Sequence, residues 1–348
     1  MKTIRKNNIF LSGLALMAGI ISLSGCSSSD DVAEVMTPDV TDAVDEEIKF
    51  STSIPVTRTF DDWGYNTITS FQADDSIRLW VDDCQTTDLD MSKTPKAHYG
   101  YTVFSVDNSN LTTGSLFQRR GTALKYPTSG NRVNIYAMRI NATTPISDGA
   151  ALPTTTGLVH KVLTDQSTLA NFCQSDMLYG ELKYQPHTKN RVTIPFKHAL
   201  AKISVQLAFD DQDINDNLSS MQITETMTEG IVTINRSKKY GDTSIEITPT
   251  GAVETIEMDH DGYNSNVCAI IPQTIAANTK FIHFTCADLG KSFTFKLAST
   301  QTFEAGKEYR FYVYTSEDLV YDVGTIKVSE VVDWTNTNID GVANGFKN

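Results

Sequence analysis

The stretch Ile203-Ser204-Val205-Gln206-Leu207-Ala208-Phe209 decides the fold class. It places apolar side chains at Ile203, Val205, Leu207 and Phe209, with small or polar residues between them. Alternation of this kind has the period of a β-strand with one buried face, because successive side chains of a strand point to opposite faces. The stretch therefore predicts a strand in a sheet that covers a core.

Similar β-branched or aromatic runs, bounded by turn-forming residues, recur along most of the chain. They occupy residues 48–57, 77–81, 132–138, 192–194, 231–234, 281–284, 292–297 and 308–314. Segments with a helical period are scarce, and Asp165–Phe172 is the best candidate for a short helix. Strands at short spacing without helices between them favour antiparallel sandwiches over parallel α/β folds. The sequence therefore predicts an all-β protein.

Residues 1–25 have the features of a secretory signal peptide. A basic start is followed by the apolar run Ile9–Leu23 and then by Ser24-Gly25-Cys26. Leu-Ser-Gly-Cys resembles the bacterial lipobox, which implies cleavage between Gly25 and Cys26 and acylation of the Cys26 thiol. Several acyl chains on one residue anchor a protein stably to a membrane, whereas one chain binds only marginally. A plain signal peptide with a chance cysteine is the alternative.

The rest of the chain divides into a tether and two folded parts. Residues 26–47 are small and acidic, and we expect them to form a flexible tether between the lipid and the first strand. The polar connector Gln185–Asn190 suggests a boundary, which gives an amino-terminal β-sandwich over residues 48–187 and a carboxyl-terminal one over 188–348. The weakly patterned stretch Asp82–Asn110 predicts an elaborated loop.

Composition excludes two classes of protein. The 348 residues hold 29 Lys and Arg against 42 Asp and Glu, for a net charge of −13, which argues against general nucleic-acid binding. Residues 1–25 carry three basic side chains and no acid, so their removal makes the chain more acidic still. Hydrophobic residues make up 40%, enough apolar surface to exclude wholesale disorder.

Motifs of common enzymes and metal sites are missing from the sequence. The six histidines are scattered without an i, i+4 pair, and no Cys-x-x-Cys, Gly-x-Ser-x-Gly or phosphate-binding loop occurs. The acid pairs Asp61-Asp62, Asp74-Asp75 and Asp82-Asp83 are interpreted as turn and surface residues, because neighbours on a strand point to opposite faces. We therefore predict no catalytic residue, no metal site and no cofactor.

Two further patterns leave alternatives open. Glu257–Gly262 has the alternating carboxylates and the Gly of a calcium loop, but Cys268 stands where its closing Glu belongs. Asp211–Asn215 lacks both the Gly and the Glu, so acidic turns are the preferred interpretation of both runs. Cys268 and Cys286 flank a turn and an exported protein could join them, although buried free thiols are the preferred interpretation.

Four groups of residues, taken in chain order, form a recognisable set. They are Thr57-Arg58-Thr59 with Phe71–Trp80 (FQADDSIRLW), Pro195–Val205 (PFKHALAKISV), Ile270–Thr274 (IIPQT) with Phe303–Tyr309 (FEAGKEY), and Val331–Trp334 (VVDW). The second group looks like a Phe-x-His-Ala-x-Ala-Lys signature. Together the four resemble the fimbrillin (FimA/Mfa-like) family of Bacteroidetes lipoproteins, which build or decorate type V pili.

The resemblance implies a fold and an assembly route. The fold would be two tandem transthyretin-like (Greek-key) β-sandwiches on a lipoprotein of the outer membrane. An Arg-specific protease would cut between Arg58 and Thr59, the first strand would leave, and a strand of another fimbrial subunit would fill the groove. An ordinary turn arginine is the alternative at position 58.

The residues themselves are consistent with strand addition. Ile48 and Phe50 belong to one apolar face of the first strand, and a groove that loses this strand exposes unpaired backbone groups and apolar pockets. The candidate donor is 324–334 (GTIKVSEVVDW), in which Ile326, Val328, Val332 and Trp334 share one parity and Glu330 interrupts the series. His198 and Lys202 are interpreted as packing residues at the domain junction.

The leading hypothesis is a non-enzymatic fimbrial subunit of the cell surface that serves adhesion to host or bacterial ligands. The alternative is a monomeric surface lipoprotein that binds glycans or host ligands. Exposed aromatic residues would serve that function, and the candidates are Trp63, Tyr65, Tyr99 and Tyr101.

Overall fold

A computed structural model describes residues 46–53, 76–89, 96–107, 116–119, 123–140, 150–209, 218–259, 265–286, 290–315 and 323–334. The first half contains β1 (Phe50–Ser53), β2 (Ser76–Asp83), β3 (Lys96–Asp107), β4 (Leu116–Arg119), β5 (Val133–Ile140), β6 (Leu158–Lys161), α1 (Leu169–Ser175), β7 (Leu178–Gln185) and β8 (Val192–His198). The second half contains β9 (Ala201–Phe209), β10 (Leu218–Ile234), β11 (Ile245–Glu257), β12 (Ser265–Ile270), β13 (Gln273–Ile275), β14 (Lys280–Cys286), β15 (Lys291–Leu297), β16 (Gln301–Phe303), β17 (Lys307–Thr315), β18 (Val323–Ile326) and β19 (Glu330–Asp333). The all-β prediction is confirmed. No helix in these ranges is long and apolar enough to cross a membrane.

Seven strands form a closed sheet in the order β1-β4-β3-β2-β5-β7-β8. Strand β1 completes the closure, because its residues 50–53 run parallel to residues 192–195 of β8 while Ser51 pairs antiparallel with Leu116 of β4. The other neighbours in the sheet are antiparallel. Because β1 joins the two edges that a sandwich would leave apart, this half is a barrel.

The barrel is filled by apolar side chains that alternate along its strands. In β8, for example, Val192, Ile194 and Phe196 are buried and the residues between them are exposed. The core consists of Ile48, Phe50, Ile77, Leu79, Val81, Leu124, Tyr126, Val133, Ile135, Ala137, Leu178, Val192, Ile194 and Phe196. The period-2 pattern of the sequence therefore corresponds to the inside and outside of the barrel.

Two sheets form a sandwich in the second half. One has the order β11-β10-β14-β15-β18, with β6 pairing to β10, and the other has the order β12-β9-β17-β19. Their inner faces share one core, in which the ring centroids of Phe281 on β14 and Phe311 on β17 lie 5.6 Å apart. Strands β18 and β19 each occupy the end of a sheet.

The barrel and the sandwich pack against each other. Trp80, Tyr136 and Met138 on barrel strands belong to the same core cluster as the sandwich residues. The fully buried carboxylate of Asp82 on β2 accepts two bonds from the guanidinium of Arg236, at 2.7 and 3.1 Å. Asp82 was interpreted as a surface residue, and that interpretation is wrong, because its charge is neutralised inside this contact.

The structure tests the predicted elements individually. Every predicted strand between residues 77 and 314 overlaps an observed one. The prediction of a loop over Asp82–Asn110 is wrong, because β3 lies within this range and pairs with β2. The predicted helix begins later, at Leu169, where the Thr168 hydroxyl accepts the Asn171 N–H and caps its start. The division into 48–187 and 188–348 stays a prediction, although β8, which follows it, pairs within the barrel.

Candidate functional site

The first strand is buried along its core side. Ile48 is 2% exposed and Phe50 is 1% exposed, whereas Lys49 between them is exposed. Both apolar side chains lie in the barrel core. Ile48, two residues before β1, and Phe50, its first residue, therefore both pack in the core, while β1 itself closes the barrel.

Backbone hydrogen bonds hold the start of this strand on one side. The N–H of Ile48 donates to the carbonyl of Leu124 at 2.7 Å, and the N–H of Tyr126 donates to the carbonyl of Glu46 at 3.2 Å. These bonds extend the pairing beyond the single link between β1 and β4. Loss of the strand would leave the Leu124 carbonyl and the Tyr126 N–H without these partners.

The other side of the strand is held by β8 and the residue before it. The N–H of Val192 donates to the carbonyl of Lys49 at 2.7 Å. The guanidinium of Arg191 donates to the carbonyl of Phe50 at 2.9 Å. The strand thus sits between two backbone edges, the geometry in which one strand can be exchanged for another.

A histidine lies beside the start of the strand. Nε2 of His187 is 3.4 Å from the carboxylate of Glu46, and its ring meets the Tyr126 ring edge-on with centroids 4.6 Å apart. Burial raises the pKa of Tyr126 to about 12, so its phenol stays neutral. The entry of the strand into the barrel is therefore fixed by side chains as well as by backbone.

The carboxyl-terminal segment 324–334 crosses from one sheet of the sandwich to the other. Strand β18 runs parallel to β15, and β19 runs antiparallel to β17. Ile326 and Trp334 are buried, the even-numbered residues between them are half-buried, and the odd-numbered ones are exposed. The shared parity noted in the sequence is thus the inward face of this segment.

Trp334 ends this segment in a cluster that we define as Asp176, His198, Gly306 and Trp334. Its indole stacks on the His198 ring, with centroids 3.9 Å apart and planes 5° from parallel. Nδ1 of His198 lies 3.0 Å from each carboxylate oxygen of Asp176. Burial alone would raise the pKa of Asp176, but the charge and hydrogen bond of His198 outweigh it and lower that pKa. The His198 ring is thereby oriented for stacking.

Gly306 brings the backbone close to this stack. It has a φ of +70°, and an added Cβ would lie 3.3 Å from the His198 carbonyl oxygen. Its own carbonyl accepts the Trp334 N–H at 2.7 Å. Glycine is therefore favoured here by both the turn conformation and the tight approach.

A buried network of charges adjoins the Trp334 cluster. Oε1 of Glu308 lies 3.5 Å from the Lys202 ammonium and accepts from the Arg310 guanidinium at 3.2 Å. Arg310 also donates to Glu330 at 3.1 Å. Burial would raise the pKa of Glu308, but Lys202 and Arg310 lower it to about 2. Glu330, which interrupts the apolar face of the segment, therefore has a partner in its own chain.

These contacts bring together residues that are far apart in the sequence. His198 and Lys202 come from the stretch 195–205, Gly306 and Glu308 from 303–309, and Trp334 from 331–334. A sequence profile described as fimbrillin-like matches residues 57–334, most of the chain. The chain belongs to the fimbrillin-like family.

Solved structures of two Bacteroides proteins share this fold. A candidate cell adhesion protein of Bacteroides uniformis aligns with a TM-score of 0.56 and 18% identity, over 84% of this chain and 98% of that one. A candidate cell adhesion protein of Bacteroides ovatus aligns with a TM-score of 0.54 and 16% identity, over 83% and 98%. The tip fimbrial protein Mfa3 of Porphyromonas gingivalis, truncated at its C-terminus, aligns with a TM-score of 0.46 and 10% identity, over 83% of this chain and 100% of that one. No curated protein matches this chain.

The predicted processing residues of this fimbrillin-like chain lie outside the described residues. They are Gly25 and Cys26 at the signal cleavage and lipidation site, and Arg58 and Thr59 at the protease site. The aromatic candidates Trp63 and Tyr65 also lie outside, while Tyr99 and Tyr101 are on β3. Lipidation and proteolysis at these positions stay predictions.

Other candidate groups have structural roles. Cys268 and Cys286 are buried free thiols on β12 and β14, in opposite sheets, as preferred from the sequence. The side chain of Glu257 accepts from the Gln222 amide at 2.8 Å, while Asp261 lies outside the described ranges. Among the described residues, no group of three or more His, Cys, Asp or Glu side chains could hold a metal ion.

The interpretation of His198 and Lys202 as packing residues is confirmed by their burial and partners. Nothing in the sequence indicates that Asp176 is the partner of His198, because an isolated Asp before a strand resembles a turn residue. The pairing of Arg310 with Glu330 was also missed. Its signal is weak: two opposite charges on the neighbouring strands β17 and β19, which are seen as a pair only when the register is known.

Proposed function

We propose that this fimbrillin-like chain is a non-enzymatic pilus subunit of the cell surface, which joins neighbouring subunits by strand exchange and serves adhesion. The observation that carries the proposal is the position of β1. It closes the barrel, it is joined to β4 by one residue pair, and it lies directly before the candidate cleavage site at Arg58.

The proposed acceptor is the groove that β1 occupies. Cleavage between Arg58 and Thr59 would detach every residue before position 59, including Ile48 and Phe50. Their removal would expose apolar pockets beside Val192 and Ile194 and would free backbone groups on both sides. A strand with apolar residues at alternate positions would satisfy both.

The proposed donor is segment 324–334 of another subunit. Both of its strands lie at sheet ends, so the segment can leave without separating any other pair of strands. Its inward face carries Ile326, Val328, Val332 and Trp334, spaced for the pockets of a sheet groove. Together with the detachable β1, this edge position supports exchange between copies.

The proposed route to the surface begins with a lipid. Acylation of Cys26, with palmitate among its chains, would anchor the precursor in the outer membrane until an Arg-specific protease cuts at Arg58. After cleavage the subunit would be held in the fimbrium by its neighbours alone. The single cut would therefore change the anchor and open the acceptor at the same time.

The test is the mature amino terminus of protein taken from intact cells. We expect mass spectrometry to find Thr59 first in polymers, and an Arg58→Ala chain to remain acylated and unpolymerised. An Arg58→Lys chain is the matched control, since it keeps the charge but not the arginine that the protease requires. Polymers whose subunits still begin at Cys26 would contradict strand exchange.

A second test examines the donor. Glu330 pairs with Arg310 in its own chain but would enter an apolar groove in a neighbour, where an unpaired carboxylate is costly. We expect Glu330→Val to speed polymerisation of cleaved subunits. Asp333→Val is the control, because Asp333 lies on the exposed face of the same segment. Equal effects of the two changes, or slower assembly with Glu330→Val, would contradict the donor assignment.

A further inference from the structure

A cleft of about 980 Å³ lies between the barrel and the sandwich, at the upper end of the range of about 300–1,000 Å³ typical of small-molecule sites. One wall comes from β7 and β8, and the other from the turn between β10 and β11. The turn between β16 and β17 and the end of β19 complete it. The assembly steps proposed above involve only Asp333 and Trp334 of its lining, because these two residues belong to segment 324–334.

A β-bulge shapes the barrel wall of this cleft. Between the pairs Val133–Gln185 and Ile135–Leu182, strand β7 has one residue more than β5. Consecutive residues of a regular strand point to opposite faces. Here the bulge allows Lys183 and Tyr184 to reach the same turn of the sandwich.

The backbone at Tyr184 is in a conformation that an aromatic residue rarely adopts. Its φ is 55°, in the left-handed region. The surrounding structure holds it there, because the Asn134 side chain accepts its N–H at 2.8 Å and the Arg132 guanidinium donates to its carbonyl at 2.9 Å. Such strain persists only where neighbouring groups enforce it, and it concentrates at functional sites.

The opposite wall presents a second tyrosine. Tyr240 is 58% exposed, and its ring centroid lies 6.4 Å from that of Tyr184, which is 8% exposed. The turn that carries Tyr240 is fixed, because the Lys183 ammonium donates to the carbonyls of Lys238, Lys239 and Asp242 at 3.3, 2.9 and 2.7 Å. An exposed aromatic ring is therefore held in place beside a cleft.

The polar groups of the lining are mixed in charge. Lys197 on β8 is exposed, and its ammonium has no side-chain partner among the described residues. Lys307 pairs with Asp333 at the far end, and Glu181 accepts from the Tyr179 hydroxyl at 2.8 Å. The lining thus offers cations to a ligand although the whole chain is strongly acidic.

From this geometry we propose that the cleft binds an oligosaccharide, with a sugar ring against Tyr240 and a sugar carboxylate at Lys197. The electron-rich face of an aromatic ring attracts the polarised C–H groups of a sugar. Aromatic side chains held rigid before binding lose little entropy when the ligand arrives. Only Asp333 and Trp334 of the lining belong to segment 324–334, so the tyrosine wall remains after strand exchange.

The test uses the uncut full mature chain, so that its result is independent of strand exchange. We expect an array of neutral, uronic-acid and sialic-acid glycans to yield a carboxylated ligand, whose affinity is then measured by titration calorimetry. Tyr240→Ala should weaken binding by roughly tenfold, and Tyr240→Phe should weaken it less. Lys197→Gln should weaken binding of the carboxylated sugar but not of its neutral analogue.

Lys239→Gln is the matched control for Lys197→Gln, because Lys239 is an exposed lysine in the turn that carries Tyr240 but does not line the cleft. All these side chains are exposed, so circular dichroism should show unchanged folding. Three results would overturn the proposal: no glycan binds, binding is the same in Tyr240→Ala, or only an extended peptide occupies the cleft.

Discussion

Replacement of Phe50 by alanine should destabilise the uncut chain but not the cut and assembled chain. Phe50 is 1% exposed in the barrel core, and changing a buried Phe to Ala costs about 3–5 kcal/mol. Because β1 is short and is joined to β4 by one pair, we expect the lower end, about 3 kcal/mol. The uncut chain should lose this stability, whereas a chain cut at Arg58 no longer contains residue 50.

The assay compares urea unfolding of the uncut chain with that of assembled polymer. To prevent cleavage, the uncut arm carries Arg58→Lys, and the cut arm is treated with an arginine-specific protease before assembly. Phe50→Ala should lower the unfolding midpoint only in the uncut arm. Phe311→Ala, a fully buried residue of the sandwich, should lower it in both arms.

Two outcomes would refute this reasoning. A loss below about 1 kcal/mol in the uncut chain would mean that β1 is not a packed part of the barrel. An equal loss in the cut, assembled form would mean that the first strand stays in place after processing. Hydrogen exchange at the Ile48 amide distinguishes these cases, because its bond to Leu124 exists only while the strand is seated.

The remaining predictions concern charges and thiols. Arg236→Ala should cost about 3–5 kcal/mol in urea unfolding because it removes the guanidinium that pairs with the fully buried carboxylate of Asp82, whereas Lys238→Ala, whose pair is exposed, should cost less than about 1 kcal/mol. Burial lowers the pKa of His160 from 6.5 to about 4, so stability should fall as pH drops through that window, and His160→Gln should remove that fall. The pKa of Glu308 is lowered from 4.5 to about 2, so its contribution is complete above pH 4.5 and is lost towards pH 2, and Glu308→Gln should flatten that lower window. The four buried thiols should react with a thiol reagent only after unfolding.

Much of the fold could be predicted from single-strand patterns. Residues 203–207 alternate clearly because Ile203, Val205 and Leu207 of β9 lie in the sandwich core. Strand β3 (KAHYGYTVFSVD) was missed because its apolar and aromatic residues change parity, from odd-numbered positions up to Val103 to even-numbered positions from Phe104. Pairing partners, and the closure of the barrel by β1, depend on contacts between distant residues that no local pattern reveals.

The candidate site shows the same limit. The inward face of segment 324–334 could be predicted from the parity of its apolar residues. Its change from one sheet to the other between β18 and β19 could not be predicted from the sequence. His198 could be placed at a junction, while its partners Asp176 and Trp334 lie 22 positions before and far after it. Ion pairs and ring stacking of this kind become visible only when the register of every strand is known.

The energetics of the proposed exchange show why a protease is needed. Removal of residues 48–53 exposes two large apolar side chains, Ile48 and Phe50, and burial of each contributes about 1.5–3 kcal/mol. Release of segment 324–334 exposes Ile326 and Trp334, whose burial contributes a similar free energy. An uncleaved chain would therefore gain little by exchanging one strand for another. The proposed cleavage at Arg58 would remove the competing strand irreversibly. The Nε1–H of Trp334 is buried without an acceptor in the described part of the chain, and an unsatisfied buried donor costs its own subunit about 1–3 kcal/mol. A neighbour's groove that supplies this acceptor would favour transfer, so under the proposed route the cut would set the direction of exchange and Trp334 would add to its driving force.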